Sequence, residues 1–114
     1  MLKSQQRLRN NKDFVCVFQH GKRQYFDGIL LYYRSNSLNY SRIGFVVSKK
    51  YSHLAVCRNR QRRILQNIAH HLYPKIKPGF DIIISYTNHD KVLPYRNALH
   101  ILIELFTKTN LIDN

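Results

Sequence analysis

The stretch 55-AVCRNRQRRILQNIAHHLY-73 sets four arginines within six residues, Arg58, Arg60, Arg62 and Arg63, and then turns apolar. An advance of about 100° per residue gathers Leu54, Cys57, Ile64, Leu65, Ile68 and Leu72 into one arc, leaving Arg58, Asn59, Arg60, Arg62 and Arg63 around the remaining circumference. The pattern predicts a core helix with a basic back. A solvated helix face normally mixes charge signs so that i,i+4 pairs form, yet no Asp or Glu occurs from Lys49 to Lys77. The uncompensated arginines repel one another unless a polyanion lies against them. Arginine also suits phosphate better than lysine, because its planar fork offers two donors to one phosphate and stacks on bases. Lys49 and Lys50, in the "SKK" that ends the preceding apolar run, extend the positive field.

On either side of this helix the sequence alternates in type. Downstream, Pro74, Pro78 and Gly79 end the helix, and "FDIIISY", Phe80 to Tyr86, reads as a short interior strand. Pro94 then opens a last helix whose Ala98, Leu99, Leu102, Leu105 and Phe106 form a second apolar stripe. Upstream, the β-branched and aromatic runs Ile29 to Arg34 and Arg42 to Ser48 flank the turn-prone "SNSLNYS" and predict a hairpin. In the second run Ile43, Phe45 and Val47 share one face, while Gly44, Val46 and Ser48 share the other. The small side chains of that second face leave room for something to lie against the sheet. A first helix, capped by Asn11 and closed by Gly21, brings Phe14, Val17 and Phe18 to one side. Helix, strands, helix, strand, helix is the order of an α+β or α/β sandwich, one sheet with a helical layer.

Across 114 residues, 44% of them hydrophobic and including eight Tyr and six Phe, one domain with a modest core is expected. Nineteen Lys and Arg against six Asp and Glu give a net charge of +13, which points to a nucleic-acid partner. No run reaches the roughly 18–20 apolar residues of a membrane span, and "MLKSQQRLRN" lacks a hydrophobic signal core, so a cytoplasmic protein without membrane association is expected. Cys16 and Cys57 form no C-x-x-C pattern and are expected to be reduced, largely buried thiols.

The aromatic residues narrow the choice of nucleic acid. Adjacent Tyr32 and Tyr33 on a strand point to opposite faces, so one of them lies outside the core occupied by the other. Aromatic side chains beside a basic groove provide stacking platforms for unpaired bases, at roughly 1–3 kcal/mol per base. Single-stranded or structured RNA therefore fits better than duplex DNA.

Arg58, Asn59, Arg60, Arg62 and Arg63, read as R-N-R-x-R-R, resemble the signature of the bacterial ribonuclease P protein component. The resemblance extends through Arg7 and Leu8, "DFVCVFQHGKR" with Phe14, Val17, Phe18 and Gly21, "RIGFVVSKK" from Arg42 to Lys50, and "DIIISY" before a final helix. It implies one domain spanning 1–114: a two-layer α+β sandwich with a mostly antiparallel central sheet, three helices and a left-handed crossover at the basic helix. It further implies a protein subunit of an endoribonuclease, paired 1:1 with a catalytic RNA that removes the 5′ leader of precursor tRNA. Magnesium would belong to that RNA, and the protein alone would bind no cofactor and supply no catalytic residue. Lys49, Lys50, Arg58, Asn59, Arg60, Arg62 and Arg63 would meet the catalytic RNA, and Phe14, Phe18, Tyr32, Val46 and Ser48 would line the leader groove. Gln66 and Asn67 depart from the family's usual Arg and Glu and are left out of both sets, and Tyr33 is not carried over.

A protein-only nuclease would need its own acid, base or metal site. His70 and His71 diverge by about 100° on a helix, a poor chelating geometry, and His20, His53, His89 and His100 show no ligand spacing with carboxylates. A non-catalytic ribosomal or structured-RNA binding protein shares the size, charge and basic helix, and remains the alternative. A helix-turn-helix DNA binder fits less well, because apolar strands rather than a second helix flank the basic one.

Overall fold

The computed structural model describes residues 2–48, 55–86 and 93–112. Among these residues, three helices and four strands follow a short 3-10 turn at Ser4–Gln6: α1 Asn11–His20, β1 Lys22–Phe26, β2 Ile29–Ser35, β3 Arg42–Val47, α2 Ala55–Leu72, β4 Phe80–Tyr86 and α3 Tyr95–Lys108. The sheet order is β1-β2-β4-β3. β1 and β4 both run antiparallel to β2, while β3 is parallel to β4. The sheet is thus mostly antiparallel, and the basic helix α2 forms the crossover between its parallel pair.

The strand pairing corrects one expectation. β2 and β3 do not form a hairpin, because β4 lies between them. Ile82, Ile83 and Ile84 have no exposed surface, and a strand that is apolar on both faces gains most from a central place with a partner on each edge. The tight hairpin is instead β1–β2, closed by Asp27 and Gly28, whose φ values of 47° and 92° suit the primed two-residue turn that matches strand twist. Residues 36–41 pass across the start of β4, where the Asn36 amide NH donates to the Gly79 carbonyl.

Each face of the sheet has its own apolar cluster. On one face, Ile29, Leu31, Ile43, Val47, Ile82 and Ile84 pack with Leu65, Ile68 and Leu72 of α2 and with Ala98, Leu102, Leu105 and Phe106 of α3. This is the expected core between the sheet and the helical layer. On the other face, Leu8, Val17 and Ile83 are buried, with Phe14, Tyr32 and Val46 against them. Tyr33 packs with the first cluster and Tyr32 with the second, as the strand period requires.

α1 begins one residue earlier than its predicted cap implies. Asn10, in extended conformation, is the cap, and its side-chain oxygen accepts from the Lys12 amide; Asn11 is already helical. Gly21 does close the helix, its amide donating to the Val17 carbonyl. The seat of α1 depends on Gly44, where an added Cβ would stand 2.5 Å from Cζ of Phe14. The small-residue face of β3 is therefore occupied by the Phe14 ring.

Replacing Gly44 by Ala should displace Phe14 and destabilise the fold by about 1–3 kcal/mol, the usual range for overpacking. Adding Phe14→Leu should recover part of that loss. Denaturation of both single variants and the double variant measures the coupling, and strictly additive losses would mean that the ring does not depend on the glycine.

Candidate nucleic-acid interface

The face that carries α1 is built from side-by-side rows of residues running across the strands. Paired positions on adjacent strands share a face, so Arg34, Asp81 and Arg42 form one row and Arg23, Tyr32, Ile83 and Gly44 the next. A third row is Tyr25, Leu30, Ser85 and Val46. Phe14 rests on Gly44 and Val17 packs with Ile83, while Phe18 meets Tyr32 edge-on, with ring centroids 4.8 Å apart. The centroids of Phe14 and Phe18 lie 6.3 Å apart. Leu30, Ser85 and Val46 are only half-buried, and Tyr25 is exposed. A shallow channel thus has aromatic residues of α1 as one wall and the third row as its floor.

Four of the residues expected in a leader groove, Phe14, Phe18, Tyr32 and Val46, come together here. Ser48 follows the end of β3 and is half-buried. Phe18 is 42% exposed, so it caps a surface cluster rather than filling the core. An aromatic group that keeps this much surface after folding can still gain by stacking on a base.

The opposite end of the same face is polar and tied down. The Arg42 guanidinium donates twice to Asp81, at 2.9 and 2.7 Å, and once to Asp13 of α1 at 3.2 Å. Asp81 also accepts from the Asn36 side chain. The hydrogen bond to Asp81 holds the Arg42 pKa above its ordinary value, with the charges of Asp81 and Asp13 adding to it and partial burial opposing it. The bidentate pair joins β3 to β4, and the further bond to Asp13 ties α1 to both. Beside it, Arg34 donates to the Cys16 thiol. Both cysteines are free but only half-buried, a correction to the buried thiols expected; for Cys16 the reason is its place at this polar margin.

The arginine helix occupies the other face. Asn59, Arg60 and Arg63 are exposed; Arg58 and Arg62 are half-buried, and Arg62 donates to the Asn59 side chain at 2.9 Å. The ion pairs formed between described residues are those of Arg42, so Arg60 and Arg63 present unneutralised charge to solvent. Lys49, Lys50 and Leu54 lie outside the described residues. Gln61, within the arginine run, is fully buried: its side chain accepts from the Leu93 amide at 2.6 Å and donates to the Leu93 carbonyl at 3.4 Å. The sequence reading missed this residue, although the apolar arc of Leu65 and Ile68 extends back through its position. Gln61 fixes the rotation of α2 that turns Arg60 and Arg63 outward.

The two surfaces approach each other at the β3 edge. There Arg7 pairs with Ile43 and the Leu8 amide donates to the Ile43 carbonyl, adding a short length of chain to the sheet. A cavity of about 260 Å³ opens at this edge, with Leu8, Phe14 and Gly44 on one side, Arg62 and Gln66 of α2 on the other, and Arg7 and Arg9 among its further lining residues. Gln66, left out of both expected sets, faces this junction. Among the described residues no group of three or more His, Cys, Asp and Glu side chains is placed to hold a metal ion, and no helix is long and apolar enough to cross a membrane.

Comparison with known proteins gives the arrangement its family. The profile of the family described as Ribonuclease P matches residues 2–110. The chain belongs to the ribonuclease P protein family. The ribonuclease P protein component of Synechocystis is 35% identical over 109 residues, covering 95% of this chain and 88% of that protein. That of Clostridioides difficile is 39% identical over 105 residues, covering 91% of each. Among solved structures, the ribonuclease P protein of Thermotoga maritima superposes with a TM-score of 0.78 at 28% identity, over 95% of this chain and 98% of that one. The Staphylococcus aureus protein gives 0.85 at 22% identity, again over 95% and 98%, a likeness of fold. The function of the chain is accordingly that of a ribonuclease P protein component.

Arg42→Leu should lower folding stability by about 2–4 kcal/mol, because it strands the shielded Asp81 carboxylate. Arg42→Lys should restore only part of this, since one ammonium cannot reproduce the fork. Urea denaturation gives both values, and a loss under about 0.5 kcal/mol for Arg42→Leu would class the network as a surface ion pair.

Proposed function

We propose that this chain, as one RNA-binding domain, holds the catalytic RNA of ribonuclease P against the arginine back of α2 and the unpaired 5′ leader of precursor tRNA along the channel beside α1. The RNA performs the hydrolysis, with magnesium as its metal, and the protein, in 1:1 association with it in the cytoplasm, contributes substrate affinity and charge neutralisation. The observation that carries this reading is the half-exposed cluster of Phe14, Phe18 and Tyr32 on the sheet face opposite the one that α2 covers. Two partners can then be held at once.

Arg58, Asn59, Arg60, Arg62 and Arg63 form the catalytic-RNA surface in this reading, with Lys49 and Lys50 assigned to it from the "SKK" motif alone. Each phosphate they neutralise releases condensed counterions, so affinity falls with salt. Phe14, Phe18 and Tyr32 offer stacking surfaces, Val46 an apolar floor, and Ser48 a hydroxyl at the end of β3. Unpaired bases gain from such surfaces, whereas mature tRNA, lacking the leader, has nothing to place there.

The free protein should show no leader cleavage, and at low magnesium it should raise cleavage by its RNA. Correctly placed 5′ cleavage by RNA-free protein would sink the assignment. Replacing Arg60 or Arg63 by Ala should weaken binding to the catalytic RNA and flatten its dependence on log salt by about one unit for each phosphate no longer neutralised. An unchanged slope in folded variants would mean that the helix back is merely solvated.

The Phe18→Ala variant of the holoenzyme should bind precursor tRNA more weakly by roughly 1–3 kcal/mol, with mature tRNA affinity nearly unchanged. Equal losses for both tRNAs, together with a large fall in melting temperature, would return Phe18 to a purely structural role.

A further inference from the structure

Tyr25 of β1 is the most exposed of the large aromatic side chains described, at 57%. Its hydroxyl is nevertheless held, accepting a hydrogen bond from the Gly28 amide at 3.0 Å across the Asp27–Gly28 turn. The bond restrains the ring while its surface stays open to solvent. Tyr25 pairs with Leu30, so it shares the face of Tyr32 and stands diagonal to it across the β1–β2 pair, a separation that aromatic side chains can bridge. Arg23 lies directly opposite Tyr32 on the same face and is exposed. Val46, Ser85, Leu30 and Tyr25 thus make a continuous floor from β3 to β1 across four strands, each step about 4.8 Å.

The charges along this floor favour a polyanion. Of the carboxylates on this face, Asp13 and Asp81 are taken up by Arg42 at the far end. Asp27, in the turn beyond Tyr25, would repel a phosphate continuing past the turn, whereas Arg23 attracts one leaving over the β1 edge.

We infer that Tyr25, with Arg23 beside it, is an outer platform for an unpaired RNA base, set one strand beyond Tyr32 at the β1 edge of the sheet. The inference rests on the leader-channel reading and extends it to a fourth strand. The tethered hydroxyl spares much of the ordering entropy that a free tyrosine would lose on stacking, and Arg23 supplies the charge for the adjoining phosphate. The bound strand enters beside Phe14 and Val46 and leaves over β1. Leader length then becomes a determinant of affinity, because only a leader long enough to cross the whole sheet reaches Tyr25.

The test is precursor tRNA binding by the holoenzyme with leaders shortened one nucleotide at a time. The Tyr25→Ala variant should lose about 5- to 150-fold in affinity for long leaders, the range set by stacking of one base. The loss should vanish below a threshold length. Phe18→Ala should still weaken binding of leaders below that threshold, so the inner channel and the outer platform fail separately. Tyr25→Phe, which keeps the ring and loses the tether, should retain most of the long-leader affinity. No loss for Tyr25→Ala at any length, or an equal loss at every length, would overturn the platform while leaving the inner channel to the Phe18 result. A Tyr25→Phe defect as large as that of Tyr25→Ala would also overturn it, since a polar interaction and not stacking would then be at work.

Discussion

Ile82, Ile83 and Ile84 are buried without remainder, and the rest of the structure answers to that constraint. A strand apolar on both faces must be flanked on both edges and covered on both sides. β2 and β3 supply the edges. Because β3 is parallel to β4, its connection must cross the sheet, and α2 makes that crossing. Ile82 and Ile84 draw α2 and α3 onto one face, and Ile83 draws α1 onto the other. Asp81, immediately before this run, receives the Arg42 fork, whose further bond to Asp13 anchors α1.

This division leaves two separate surfaces, which in the proposed function take two different stretches of RNA. α2 covers one face with its apolar arc, and Gln61 locks its rotation to the chain ahead of α3, so the arginines turn away from the core. α1 is too short to cover the other face, and the row from Val46 to Tyr25 is left partly bare. Aromatic residues at the boundary between covered and bare surface have a fixed geometry and an open side. Rigid platforms of this kind lose little entropy when a base stacks on them.

Much of this was legible in the sequence. The apolar arc of α2, the stripe of α3, the interior character of Phe80 to Tyr86 and the small-residue face of β3 all follow from side-chain period, and all are present. The supposed hairpin of β2 with β3 failed for a physical reason: periodicity marks a strand but does not name its neighbour, and the competition for the central place was decided by β4. The Asp27–Gly28 turn did carry a local signal for the true hairpin. Asn10 and Asn11 differ only in backbone conformation, which a pair of identical caps cannot reveal. Gln61 escaped notice because a polar side chain in an arginine run looks exposed until its backbone partner is in place. Tyr25 escaped for the converse reason, since its openness depends on which strand has no outer neighbour.

In the proposed arrangement the leader and the catalytic RNA lie on opposite faces of the sheet, which meet only at the β3 edge. Photocrosslinking tests it most directly, with holoenzyme assembled on precursor tRNA that carries a photoreactive base in the leader. Leader crosslinks are expected to peptides containing Phe14, Phe18, Tyr32 or Val46, and crosslinks from the catalytic RNA to the peptide containing Arg60 and Arg63. Leader crosslinks confined to α2 or α3, with none on the α1 face, would contradict it.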